Sequence, residues 1–193
     1  MTVLTLQLPP HLQFTDDEFL QIVATNKDLR LELSAEGELI LMPPTGGETG
    51  DRNLELEGQI WFWKRQTKLG KAFDSSTGFK LPNGAIRSPD VSWIPIEKWN
   101  ALTPEQRKKF LPIAPDFVIE LLSETDDLED LRAKMREYIN NGVRLGWLIN
   151  PKNQQVEIYR PHQEPEILQS PQTLSGEDVL PGFVLDLEPI FTL

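Results

Sequence analysis

The stretch "PDFVIELLSETDD", residues 115–127, decides the fold. Its first half, Phe117 to Leu122, is a run of branched and aromatic residues closed by Ser, Thr and Asp, which is how a buried strand reads. A helix follows, with Asp126 and Glu129 as its capping pair. Leu128, Leu131, Met135, Tyr138 and Ile139 form its apolar face, and "NNG" at 140–142 ends it. "LGWLIN" at 145–150 then reads as a second buried strand. Inside the first strand, Glu120 stands between Ile119 and Leu121. A lone charge in an apolar interior is costly, so this carboxylate must be neutral, paired or bound to a metal.

Working toward the N-terminus, "TDDE" at 15–18 is a capping box that starts a helix carrying Phe19, Leu20 and Val23 inward. "LRLEL" and "GELILMP" alternate and are joined by "SAEG", the pattern of a hairpin. After the loop "PPTGGETG", a helix runs from about Asp51 to Lys68 with Leu56, Ile60 and Trp63 on one stripe. Phe73 to Leu81 and Ile86 to Ile94 read as strands joined at Asn83-Gly84. Residues 96–110 read as a polar surface helix. Toward the C-terminus, "PKNQ" turns into "VEIYR", an exposed-edge strand, and "VLPGFVLDLEPIF" is a last strand or packed irregular segment. The expected fold is α/β (α+β): a mixed central β-sheet flanked by helices, with an N-terminal helix and hairpin, in a single domain spanning 1–193.

Composition narrows the function. With 39% apolar residues the 193-residue chain can bury a core, and with no Cys it has neither disulfides nor thiolate metal ligands, as suits a reducing cytoplasm. "MTVLTLQLPP" is too short and too proline-bound for a leader, and no apolar run is long enough to span a membrane. His11 and His162 lie far apart, which argues against zinc. The net charge of −11 opposes nucleic-acid binding when taken alone. It is unevenly spread: Lys64, Arg65, Lys68, Lys71, Lys80 and Arg87 cluster in one segment, while residues 110–131 carry acids and no cation.

Strand alternation puts Val118, Glu120 and Leu122 on one face and Phe117, Ile119 and Leu121 on the other. "RSPDVSWI" supplies a second strand carboxylate, Asp90. Two carboxylates on adjacent strands can converge on a hard cation such as Mg²⁺, which takes oxygen ligands at about 2.0–2.1 Å. Asp116 cannot share that ion, since four residues of extended strand separate it from Glu120 by ~13 Å. The alternative for Glu120 is an ion pair or a cap on backbone amides. Ser123 has no nearby His to activate it and reads as a helix-start residue. The five tryptophans are spaced mostly as core residues, and Gly46-Gly47 is a turn rather than a phosphate loop.

The ordered series "LMPPTGGETG", "SPDVSWI", "PDFVIELLSETD", "DLRAKMREYINNGVRLGWLINP" and "VLPGFVLDL" resembles the PD-(D/E)XK nuclease superfamily, and within it the restriction-endonuclease-like family of small bacterial proteins of Uma type. The resemblance runs from about Leu39 to Phe191. It implies a restriction-endonuclease-like core and a Mg²⁺- or Mn²⁺-dependent endonuclease acting on DNA, with Asp90, Glu120 and Lys134 catalytic and Asp90, Glu120 and Glu48 as metal ligands. The superfamily motif would place Lys two residues after Glu120, where this chain has Leu122. The family's migrated lysine corresponds to Lys134 on the following helix. Helical geometry allows this, because Leu131 and Tyr138, three before and four after, put Lys134 beside the buried stripe. The family often has Asp where Asn150 stands before Pro151, and Asn150 reads as a turn residue. A homodimer is a possible assembly. The competing function is a non-catalytic nuclease-fold domain that binds protein or DNA, and the negative net charge favours it.

Overall fold

The computed structural model describes residues 4–6 and 14–192; His11 and most of "MTVLTLQLPP", on which the leader reading rests, lie outside them. Strand β1 (Leu4–Leu6) comes first. Helix α1 (Asp16–Thr25) follows with the expected capping box at Thr15 and Glu18. Next come the hairpin β2 (Arg30–Leu33) and β3 (Leu39–Met42), then the long helix α2 (Gly47–Thr67). α2 begins earlier than the sequence suggests, because Gly46 adopts the extended N-cap conformation.

The middle of the chain makes β4 (Gly70–Asp74), the short pair β5 (Phe79–Lys80) and β6 (Ile86–Arg87), and β7 (Val91–Pro95). The two long strands expected here are thus four, and the Asn83-Gly84 turn joins β5 to β6. Helix α3 (Ile96–Ala101) covers only the start of the expected 96–110 helix; the rest is bends and turns around a 3₁₀ turn at Gln106–Lys108. Then come β8 (Phe117–Leu121), α4 (Leu128–Asn140), β9 (Leu145–Asn150), β10 (Gln155–Tyr159), β11 (Glu166–Gln169), β12 (Thr173–Ser175), β13 (Val184–Asp186) and α5 (Glu188–Phe191).

The described residues form three sheets. The central one has six strands in the order β11-β10-β9-β8-β7-β4; β8 and β9 are parallel, joined through α4, and the other pairs are antiparallel. The β2–β3 hairpin, with β1, β5 and β6, makes a second, five-stranded sheet, and β12 pairs with β13. A single sheet was the sequence expectation. β10 is also not an edge strand: β11 pairs with it, and Val156 to Tyr159 are buried.

The two faces of the central sheet carry different cores. Phe117, Ile119, Leu121 and Trp147 pack against Leu56, Ile60 and Trp63 of α2. Val118 and Leu148 pack on the other side against Met135 and Tyr138 of α4. The alternation read from 117–122 is therefore the real division between layers. Gly146 allows α4 to lie this close, since a Cβ there would stand 2.5 Å from Met135 Cε. Among the described residues, no helix is long and apolar enough to cross a membrane.

Candidate active site

Glu120 is 4% exposed and sits on the α4 face of β8. Its Oε1 accepts from Tyr138 Oη at 2.8 Å and lies 2.9 Å from Lys134 Nζ. Both partners are on α4, four residues apart and so on one helical face. The start of that helix differs from the sequence reading. Asp127, not Asp126, is the N-cap and accepts from the amides of Glu129 and Asp130; Asp126 turns back to the Ser123 amide.

Lys134 Nζ has a second partner, Glu32 Oε1 at 3.0 Å. Glu32 is on β2 of the other sheet, 2% exposed, and also accepts from Arg87 Nη1 at 3.2 Å and the Ser88 amide at 2.9 Å. Arg87 reaches Glu137 with its Nε at 2.6 Å. A buried network thus joins the hairpin to α4. Arg87, placed by its sequence neighbours in a basic rim, is instead enclosed here with a side chain 11% exposed. Glu32 went unread as a site residue, although it carries the same signal as Glu120: a carboxylate between two aliphatic residues in a strand.

Asp90 closes the ring from just before β7. Its Oδ2 accepts the Leu121 amide at 2.8 Å, which ties it to the residue next to Glu120. Asp90, Glu120 and Lys134 line one cleft of about 580 Å³ between the two sheets and α4, with Glu32, Arg87 and Asn53. Asp126, Asp127 and Asp130 also line it. Glu48 is not drawn in: its side chain is 74% exposed and pairs with Arg52 at 3.5 Å. In the same first turn of α2, Thr49 rather than Glu48 lines the cleft. Asn53, on a later turn of α2, lines it too.

Arg132, two residues before Lys134, turns the other way. It grips Glu157 of β10, a carboxylate 3% exposed, and reaches Glu129. Its partners are thus one buried acid, Glu157, and one surface acid, Glu129. Asp116 pairs with Lys98 at 2.8 Å, apart from the cleft. Asn150 accepts from the Asn153 amide and serves the turn.

Charge is set by burial and neighbours together. Burial pushes the Glu120 carboxyl up to about 7; Lys134 opposes the shift, while Asp90 and Glu32 add to it. Burial also raises Asp90, against the Leu121 amide and Lys134. Burial works to raise Glu32 too, but Lys134 and Arg87 outweigh it and hold it below the usual range. Lys134 stays cationic: burial works against its charge, and Glu120 with Glu32 overcomes it.

The donors facing the cleft suit a hard cation. Asn53 Oδ1 is buried with no hydrogen-bond partner among the described residues. Asp90 Oδ1 and Glu120 Oε2 make no side-chain hydrogen bond there, since each carboxylate uses its other oxygen. All three are oxygen donors of the kind Mg²⁺ and Mn²⁺ take. Among the described residues, no three His, Cys, Asp or Glu side chains form a metal-holding group, so two carboxylates would need the amide or water to complete a shell.

The family model Uma2, described as "Putative restriction endonuclease", matches residues 16–188. No curated protein matches the chain. Among solved structures, the chain is similar to a protein from Anabaena variabilis ATCC 29413 described as "a putative nuclease belonging to DUF820", at 26% identity and a TM-score of 0.75. The match covers 92% of this chain and 97% of that one.

Proposed function

The chain belongs to the Uma2 restriction-endonuclease family, and on that premise we propose that it is a divalent-metal-dependent endonuclease hydrolysing phosphodiester bonds in DNA. The observation that carries this reading is the Lys134–Glu120 pair at 2.9 Å, in a cleft that Asp90 shares. Asp90, Glu120 and the Asn53 amide oxygen would hold Mg²⁺ or Mn²⁺, with Asn53 taking the place first expected for Glu48. Such an ion supplies Lewis acidity toward a phosphate oxygen and lowers the pKa of water.

The chain's own residues do the rest. Glu120 presents one oxygen to the cleft while Tyr138 and Lys134 fix the other. The Leu121 amide orients Asp90 in the same way. The Lys134 ammonium, held in place by two glutamates, is a compact donor that can orient an attacking water or stabilise charge developing on phosphate oxygens. Its fixed position costs no reorganisation during the reaction. Glu32 and Arg87 position Lys134 and take no part in bond breaking.

The test is cleavage of plasmid and linear DNA with Mg²⁺ or Mn²⁺ and with chelator. Glu120→Gln and Asp90→Asn should each lower the rate by at least about a hundredfold, with the fold retained by circular dichroism. Cleavage that persists in chelator, or in Glu120→Gln, overturns the reading. No cleavage together with no gain in thermal stability from Mn²⁺ would make this a non-catalytic nuclease fold.

A further inference from the structure

We infer that the outward face of α2 is the interface of a twofold-symmetric homodimer, in which two α2 helices pair antiparallel about Gly58. The helix has 21 residues, and its buried stripe is Leu56, Ile60 and Trp63. On the opposite side, Leu54 is 66% exposed, Trp61 49% and Phe62 60%. At 100° per residue these three flank a line through Asp51, Gly58 and Arg65, all exposed. A soluble helix normally gives that face to polar residues, and a contiguous apolar stripe marks a contact surface.

The charges on the stripe say what covers it. Its N-terminal half carries Asp51 and Glu55, and its C-terminal half carries Arg65, which lies over the Trp61 ring at 4.7 Å. Among the described residues, Asp51, Glu55 and Arg65 have no ion-pair partner in the chain. A second copy, turned end to end, supplies the complement to each half. A twofold axis through Gly58 sets Asp51 opposite the other copy's Arg65 and Leu54 opposite its Phe62, and each pair occurs twice. Such self-complementarity is what an isologous interface requires. Gly58, at the centre, has open space where a side chain would be, so the backbones can approach closely. DNA and anionic membranes fit the stripe badly, since Asp51 and Glu55 would meet phosphates.

The experiment uses the full chain and measures mass by sedimentation equilibrium. The expected wild-type result is a species at twice the chain mass of 22.1 kDa. Asp51→Arg and Arg65→Asp each place like charges across the axis twice, and each should weaken self-association at least about tenfold. An equal mixture of the two single variants should restore dimers, because each then meets the complementary charge. Gly58→Leu should weaken the dimer by blocking the axis. All three positions are solvent-exposed or open, and unchanged melting temperatures will verify the fold. A wild-type chain that stays monomeric overturns the inference, as does a dimer indifferent to both charge reversals or a mixture that fails to reassociate. A monomer whose Phe62→Glu variant loses DNA retention would make the stripe a nucleic-acid surface and likewise overturn it.

Discussion

Glu32, Glu120 and Glu157 each stand between two apolar neighbours on a strand, and all three are buried. Helix α4 answers them with two cations on opposite sides of its apolar stripe: Lys134 to Glu120 and Glu32, Arg132 to Glu157. Removing one partner of a buried pair costs more than removing both, because the charge left behind has lost its water as well as its counter-charge. Lys134→Met should therefore destabilise the metal-free chain by about 3 kcal/mol in urea titrations, and adding Glu32→Gln should recover part of that. A single variant as stable as wild type would mean that water already reaches the network. The pKa of Glu120 adds a pH signature. Its folded value of about 7 lies above the ordinary carboxyl value of 4.5, so the folded state binds the extra proton. Without metal, that group's contribution to stability is greatest below pH 4.5 and is lost as pH rises through about 7. Metal binding has the opposite sense, since a protonated carboxyl cannot ligate. The gain in melting temperature from Mn²⁺ should grow as pH rises through 7, and a gain independent of pH would remove Glu120 from the ligand set.

The elements around the site were unequally legible. β8 and α4 were readable because each has one strong period, two residues for the strand and 3.6 for the helix, and because both faces of β8 meet apolar layers. The periods put Glu120 on one face of β8 and Lys134 beside the buried stripe of α4; the family resemblance, not the period, gives Lys134 its place at the site. β2 has the same alternation, but "LRLEL" also fits a hairpin with one wet face. Glu32 is buried because Arg87 and Ser88 at the end of β6 and Lys134 of α4, all far along the chain, close over it, and no local pattern carries this. Asn53 was obscured for a related reason: the loop before α2 drew attention to Glu48, while the turn of the helix decides which side chain faces inward. Asn53 Oδ1 is buried without a partner. In the metal-free chain, Asn53→Leu should be neutral to within about 1 kcal/mol or stabilising, since the orphaned oxygen disappears. The same variant should lose most of the Mn²⁺-linked gain in melting temperature, and Asn53→Asp should enlarge it. Equal Mn²⁺ gains in all three chains would take α2 out of the metal site.

For the whole molecule, the proposed function requires that a chain of net charge −11 engage a polyanion. The cleft itself brings acids, with Asp126, Asp127 and Asp130 among its lining, so long-range attraction must come from elsewhere. Arg87 and Lys80 are excluded, because Arg87 is spent on Glu32 and Glu137, and Lys80 on Asp16. What remains of the basic segment is Lys64, Arg65, Lys68 and Lys71, at the C-terminal end of α2 and the start of β4. Burial, with Lys71 and Arg65 close by, holds the Lys64 pKa below the ordinary lysine value, a sign that positive charge is crowded there. Each phosphate neutralised by such a group releases counterions and steepens the fall of affinity with salt, by about 0.9 in the log–log slope for duplex DNA. Lys68→Glu with Lys71→Glu should therefore flatten the slope by about two, measured by fluorescence anisotropy across a salt series. Lys27→Glu with Lys152→Glu makes the same change in net charge at exposed positions in other segments. If binding is local, that control lowers affinity slightly and leaves the slope nearly intact. If both pairs flatten the slope equally, only the overall charge matters and the basic end of α2 is not the DNA surface.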